Sequence, residues 1–194
     1  MRTKPRAYRH RVVPATLAMV ALLFSTAYAW QLPPGTFLML GKLDQRAALT
    51  VAELRALQIP TQTLTVTFLA GQSPEQHTFV GPLLYDLVNH FGPQFDPEAK
   101  NDRLRFHVSA TGSDEYPAIV AWGEFDPGFG NKPIMLAVSQ DGQPLDNDGP
   151  RLVVPGDIHG GRYVSNVVAV RLERAREFPP CPRWPWWFWL RSDC

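Results

Sequence analysis

The feature that most constrains the fold of this 194-residue chain is an alternation of threonine and apolar residues in the segment from Thr63 to Leu69. Successive side chains of a strand point to opposite faces, so this two-residue period is typical of a strand with one buried face. The segment from His77 to Val80 follows a short polar stretch and is predicted to be its return strand. The sequence therefore predicts a sheet that begins with a hairpin.

Helical signals occur only near the start of the body. Thr50 can cap a helix whose third residue is Glu53, which is the pattern of a capping box. From Leu83 to Phe91 apolar residues recur at helical spacing, and the Gly-Pro pair that follows predicts the end of that helix. Four later segments are predicted to be strands, namely residues 104–108, 134–138, 152–154 and 163–172. The result is a strand-dominated α+β single domain with short helices near its start.

The first 29 residues have the pattern of a cleaved secretory signal peptide. A basic head precedes an apolar stretch from Ala15 to Phe24, and Ala27-Tyr28-Ala29 places small residues around a cleavage point. The apolar stretch is shorter than the roughly 20 residues that a membrane-spanning helix needs. We therefore expect an exported protein, periplasmic or secreted, whose mature chain begins at Trp30. Its signal has no adjacent arginine pair, because His10 separates the last two arginines, so nothing marks export of an already folded chain.

Charge and length limit the classes of function. Removal of residues 1–29 leaves 14 basic and 18 acidic residues, a formal charge of −4. Binding of nucleic acid thereby loses its electrostatic basis. The predicted organisation is a lead-in at 30–48, one domain at 49–172 and a tail at 173–194, because 165 mature residues suffice for one core and hardly for two.

The tail has an unusual composition. It contains both cysteines, Cys181 and Cys194, for which a disulfide is the simplest role in an oxidising compartment. It also contains an aromatic cluster whose indole rings suit a membrane interface or an apolar groove of another protein. Packing on the protein's own surface is an equal alternative. The tryptophans in question are Trp184, Trp186, Trp187 and Trp189.

Several segments along the body occur in a recognisable order. They are the Leu49–Leu54 helix, the threonine-rich strand, Gly81–Leu87, Ala110–Tyr116, Asp141–Leu145, Gly149–Asp157 and Gly161–Val167. In order and spacing they resemble the molybdopterin-binding domain of the sulfite oxidase type oxidoreductases. The resemblance implies that fold, and a pterin cofactor whose dithiolene holds molybdenum together with one protein cysteine.

The chain departs from the family at that cysteine. The resemblance places it at the end of the threonine-rich strand, where this chain has Phe68-Leu69-Ala70-Gly71. The nearest polar side chain is Ser73, and a hydroxyl is a poor replacement for a soft thiolate ligand. Molybdopterin is therefore the cofactor that the resemblance implies, while the absent cysteine argues against molybdenum and against a protein metal site.

A pterin can be held without the metal, through its phosphate and its rings. In the loop before Tyr163, glycines let backbone N–H groups converge on an anion, and an arginine suits phosphate. A hairpin connection with a solvated arginine is the alternative. His77 and Asp114 are two further candidates. The alternative for His77 is an ordinary exposed histidine. Asp114 lies in a turn that borders the substrate pocket of the resembled family, and its alternative role is to stabilise that turn. The candidate residues are His159, Gly160, Gly161, Arg162, His77 and Asp114.

The leading hypothesis is an exported, non-redox binding module that uses an inherited cleft for a small anionic or pterin-like ligand. One alternative is a periplasmic molybdopterin-dependent oxidoreductase with an unusual metal ligand set, which would make the chain an enzyme. Another is an envelope protein that contacts a partner or a membrane surface through the Trp-rich tail. The first is favoured because a secretion route for unfolded chains cannot carry a cofactor inserted in the cytoplasm.

Overall fold

A computed structural model describes residues 33–176 of the chain. The predicted signal peptide, Cys181, Cys194 and the tryptophan cluster lie outside the described residues. The helices are short, and two single turns are 3-10 helices. They are α1 Val51–Ala56, α2 Leu84–His90, α3 Trp122–Phe125, η1 Asp102–Arg105 and η2 Gly160–Arg162. No helix of residues 33–176 is long and apolar enough to cross a membrane.

The predicted hairpin is present and longer than the alternating segment. β3 Thr61–Ala70 pairs antiparallel with β4 Ser73–Pro82 around a turn in which Gly71 has a φ of 65°. Glycine tolerates this left-handed conformation without a steric penalty. The hairpin joins two short strands in a four-stranded sheet of order β3-β4-β8-β9, with β8 Ser139–Gln140 and β9 Gln143–Pro144.

A second, five-stranded sheet forms the main layer, in the order β2-β1-β11-β5-β6. Its strands are β1 Phe37–Gly41, β2 Ala47–Leu49, β5 Phe106–Gly112, β6 Pro117–Ala121 and β11 Val167–Arg174. β5 and β6 alternate buried and outward positions, so residues such as Val108 and Val120 face the core. A two-stranded pair, β7 Met135–Ala137 with β10 Arg151–Val153, packs beside the hairpin. The predicted strand-dominated α+β fold is thus confirmed.

The two predicted helices are present, whereas the later helix α3 and the 3-10 turns η1 and η2 were not predicted, because one or two turns carry too short a helical period to be recognised in the sequence. The Thr50 hydroxyl accepts a hydrogen bond from the Glu53 amide, and the Glu53 carboxylate accepts one from the Thr50 amide at 2.7 Å. The capping box is therefore formed, and it satisfies two amides at the start of α1. α2 ends just before Gly92, whose φ of 70° takes the chain out of the helix.

Three boundaries differ from the sequence-based expectation. The predicted strand at 163–172 starts only at Val167, because η2 and the turn after it occupy the preceding residues. Residues 104 and 105 belong to η1 rather than to β5. β1 and β2 lie in the segment predicted as a lead-in, yet β1 pairs in parallel with β11 at the centre of the main sheet. The apolar run of β1 lacks alternation, so sequence periodicity could not identify it as a strand.

Two buried clusters stabilise the domain. The larger lies between the main sheet and the helices and includes Trp122, whose indole N–H donates to the buried Asp126 carboxylate at 2.7 Å. The smaller cluster packs Phe68 and Phe79 of the hairpin against β7, β10 and Tyr163. It therefore fixes the end of β3 against the segment that contains the predicted glycine loop.

Candidate functional site

A polar cleft of about 390 Å³ lies beside η2. The volume is within the range of small-molecule sites. Most of its lining residues carry a hydroxyl, an amide or a carboxylate, or are glycines. They are Ser113, Asp114, Tyr116, Gly160, Gly161, Tyr163, Val164, Ser165 and Asn166.

One wall of the cleft is the turn between β5 and β6. The Asp114 carboxylate accepts a hydrogen bond from the Tyr116 amide at 3.1 Å, which is the turn role foreseen for this residue. The Ser113 amide donates to the Asn166 carbonyl at 2.9 Å, and this bond joins the turn to the segment before β11. The two walls are therefore held together by backbone contacts.

Tyr163 lies between the cleft and the smaller cluster. Its ring stacks on Phe68 with centroids 4.2 Å apart, and only 5% of the residue is exposed. Its hydroxyl is buried and makes no hydrogen bond with a described residue. Burial raises the pKa of Tyr163 above its usual value, so the hydroxyl stays protonated and able to donate. The hydroxyl has essentially no exposed surface, so it lies behind the wall of the cleft as a buried donor.

Arg162 is paired with carboxylates on every edge of its guanidinium. Its Nε and Nη2 donate to the two oxygens of Asp157, both at 2.7 Å, and its Nη1 donates to Glu124 at 3.2 Å. Lys132 lies 3.6 Å from the same glutamate. The Asp157 hydrogen bond raises the pKa of Arg162, and the arginine lowers the pKa of Asp157. These four residues are called the Arg162 cluster below.

The structure brings together only some of the predicted site residues. Asp114, Gly160 and Gly161 line one cleft, while Arg162 points to its own carboxylate partners. His159 is exposed and forms an isolated backbone bridge with Leu69. His77 lies on β4 and is not among the residues that line this cleft. Binding of an anion by these residues stays a prediction.

Sequence reasoning missed most of the cleft's polar lining. Tyr163, Ser165 and Asn166 follow directly after the glycine loop, and Ser113 and Tyr116 flank Asp114. Proximity along the chain to Asp114 and Arg162 was the one available signal. It could not show that the two segments meet, because their contact depends on the pairing of β11 with β5.

The end of β3 does not fit a molybdenum centre. Phe68 is 4% exposed and stacked on Tyr163, and the Leu69 amide donates to the Ile158 carbonyl at 2.8 Å. A Cβ atom on Gly160 would lie 3.0 Å from the Phe68 ring. A second pocket of about 420 Å³ lies at the end of β3, and its lining contains no cysteine. The lining residues are Thr67, Phe68, Leu69, Gly156, Asp157 and Ile158. Within residues 33–176, no group of three or more His, Cys, Asp or Glu side chains could hold a metal.

His77 is half-buried rather than freely exposed, and it connects the β3-β4 hairpin to the β8-β9 hairpin. Its Nδ1 lies 2.7 Å from the Asp141 carboxylate, and its Nε2 lies 3.3 Å from Glu75. The Asp141 hydrogen bond raises the pKa of His77 above 6.5. The Thr78 amide and His77 lower the pKa of Asp141 below 3.8. At pH values between 3.8 and 6.5, His77 and Asp141 therefore carry opposite charges.

This connection predicts a pH-dependent stability. Because the pKa of His77 is raised in the folded state, His77 contributes fully to the free energy of unfolding below about pH 6.5. This contribution is lost as the pH rises through the pKa of the folded state. We expect the Tm of the natural protein to fall by about 2 °C more than that of His77→Asn between about pH 5.5 and about pH 8.5. Thermal unfolding followed by circular dichroism measures the difference. His107→Asn is the matched control, and parallel profiles for all three proteins would contradict the prediction.

Comparison with known proteins yields a structural match alone. No protein-family model matches the chain, and no curated protein matches its sequence. Among solved structures, the sulfane dehydrogenase SoxCD from Paracoccus pantotrophus is similar, with a TM-score of 0.54 and 20% identity. The match covers 75% of this chain and 40% of that chain, so this chain spans less than half the length of the sulfane dehydrogenase chain. At this identity the similarity concerns the fold.

Proposed function

We propose that this chain is an exported, non-redox binding module of the sulfite oxidase fold, and that it binds a small polar molecule in the cleft beside η2. The observation that carries the proposal is a contrast between neighbouring regions. Where the resemblance requires a thiolate, the pocket at the end of β3 is lined by Phe68, Leu69 and Ile158 and offers none. The adjoining cleft is open and lined by polar side chains.

Two further observations support parts of the proposal. The fold is shared with a protein named a sulfane dehydrogenase, which agrees with the resemblance of the segments to an oxidoreductase domain. Export is supported by the basic head and apolar stretch at the start of the sequence. The signal also lacks an arginine pair, so a cofactor inserted before export would have no route across the membrane.

The oxidoreductase alternative needs molybdenum held by the dithiolene alone or by an unexpected side chain, because residues 33–176 contain no cysteine. The Trp-rich tail lies outside the described residues, so partner binding through Trp184, Trp186, Trp187 and Trp189 stays a prediction.

The first test is a cofactor analysis of the mature protein recovered from the envelope of its native host. We expect only trace molybdenum by elemental analysis, because the described residues provide no cysteine thiolate for it. N-terminal sequencing of the same sample tests export, with Trp30 expected as the first residue. Stoichiometric molybdenum would overturn the non-redox proposal, and recovery of the uncleaved chain in the cytoplasm would overturn export.

A further inference from the structure

The cleft has an unusual charge for a site expected to hold a phosphate-bearing cofactor. Of the described residues that line it, Asp114 bears a carboxylate and none has a cationic side chain. Sites that bind anions normally present an arginine, a lysine or converging amides to the negative charge. An anion entering this cleft would instead approach a carboxylate.

The nearby Arg162 cluster does not reverse this balance. Its two cations, Arg162 and Lys132, face its two carboxylates, Asp157 and Glu124, at 2.7 to 3.6 Å. The cluster is therefore close to neutral when seen from the cleft. Releasing the guanidinium for an anion would break both bonds to Asp157 and leave two partly buried carboxylates without it.

The remaining polar groups of the cleft form hydrogen bonds without carrying charge. Ser113, Tyr116 and Ser165 provide hydroxyls, and Asn166 provides an amide. Such a lining suits a molecule that presents both donors and acceptors.

From these observations we infer that the ligand of the cleft is uncharged or cationic, and that the cleft discriminates against anions. The inference rests on the proposed function, because it specifies the chemical class of ligand that the same cleft accepts. It also separates this chain from the resembled family, in which the cofactor carries a phosphate.

Two fluorescent probes with the same ring test the inference on the full mature chain. 6-Hydroxymethylpterin is uncharged at neutral pH, whereas 6-carboxypterin differs by one carboxylate. We expect the uncharged probe to bind about tenfold more tightly, since a like charge near Asp114 costs about 1.4 kcal/mol at low salt. Fluorescence titration at low and high salt measures both dissociation constants, and the discrimination should decrease as salt is added.

Three variants assign the effect to residues. Asp114→Asn should reduce the discrimination to about twofold, because the carboxylate charge is removed. Glu115→Gln is the matched control, since Glu115 is the next residue but does not line the cleft. It should leave the discrimination unchanged. Ser165→Ala should weaken binding of both probes by about fivefold through the loss of a hydroxyl that lines the cleft.

The outcomes separate the inference from the proposed function. Equal or tighter binding of the carboxylate probe would overturn the inference while leaving the binding module intact. Failure of both probes to bind at millimolar concentration would overturn the proposed function and the inference with it. A discrimination that Asp114→Asn does not change would also overturn the inference, provided that the circular dichroism spectrum of the variant is native.

Discussion

Replacing Gly81 with alanine is expected to lower the free energy of unfolding by about 3 kcal/mol or more. A Cβ atom at this position of β4 would overlap the carbonyl oxygen of Leu136 and lie 2.7 Å from the Cα atom of Ala137. Both are backbone atoms of β7, so no side-chain rotation can relieve the clash. β4 pairs with β3, and Phe68 of β3 stacks on Tyr163 in the wall of the cleft. The cleft should therefore lose its shape as well.

Chemical denaturation with guanidinium chloride measures the effect of the Gly81 replacement, and near-ultraviolet circular dichroism reports the packing of the aromatic residues. Gly161→Ala is the matched control. No heavy atom lies within 4 Å of a Cβ atom there, and the backbone is not left-handed. Its stability should change by no more than about 0.5 kcal/mol. Equal denaturation midpoints for the two alanine variants would contradict the proposed contact between β4 and β7.

Replacing Arg162 with methionine is expected to destabilise the protein by about 2 kcal/mol. The side chains of Asp157 and Glu124 are 19% and 27% exposed, so the variant leaves two partly desolvated carboxylates facing each other across the lost guanidinium. Arg162→Lys should recover less than half of the lost free energy of unfolding, because an ammonium cannot donate to both oxygens of Asp157 in the bidentate geometry of a guanidinium. Urea denaturation of the three proteins at low salt measures the differences.

The double variant Arg162→Met with Asp157→Asn provides the internal control for this pair. Asp157→Asn removes the carboxylate charge that Arg162→Met leaves without a partner, so it should restore part of the stability. The changes in free energy of unfolding of the two single variants should therefore not add. Full additivity would contradict a direct coupling between the two side chains. If Arg162→Met were as stable as the natural protein but had lost affinity for 6-carboxypterin, the result would instead show that Arg162 binds an anion.

The sequence predicted the elements that depend on local physical chemistry. Alternation between Thr63 and Leu69 identified the hairpin because side-chain direction in a strand has a fixed period of two. The Thr50–Glu53 capping box and the end of α2 at Gly92 were likewise readable, since each depends on residues within one helical turn. The strand β1 was missed because a short apolar run carries no period that separates a strand from a helix.

The site was only partly predictable, and Arg162 illustrates the reason. In the sequence it is an arginine after two glycines, a pattern typical of a phosphate loop. Its actual partners are five and 38 residues away along the chain, and Glu124 arrives there through the short helix after β6. Whether a guanidinium is free or paired depends on such distant carboxylates, which no local pattern reports.

The sequence by itself determined the fold class, the hairpin, the capped helix and the absence of cysteine at the end of β3, because each follows from residue type and short-range spacing. Only the tertiary structure decided which polar groups share the cleft and what charge they present. Pairing of β11 with β5 joins the Ser113–Tyr116 turn to the Gly160–Asn166 segment, more than forty residues apart. The electrostatic character of a site is a sum over such long-range neighbours, and here that sum contains a carboxylate and no unpaired cation among the described lining residues.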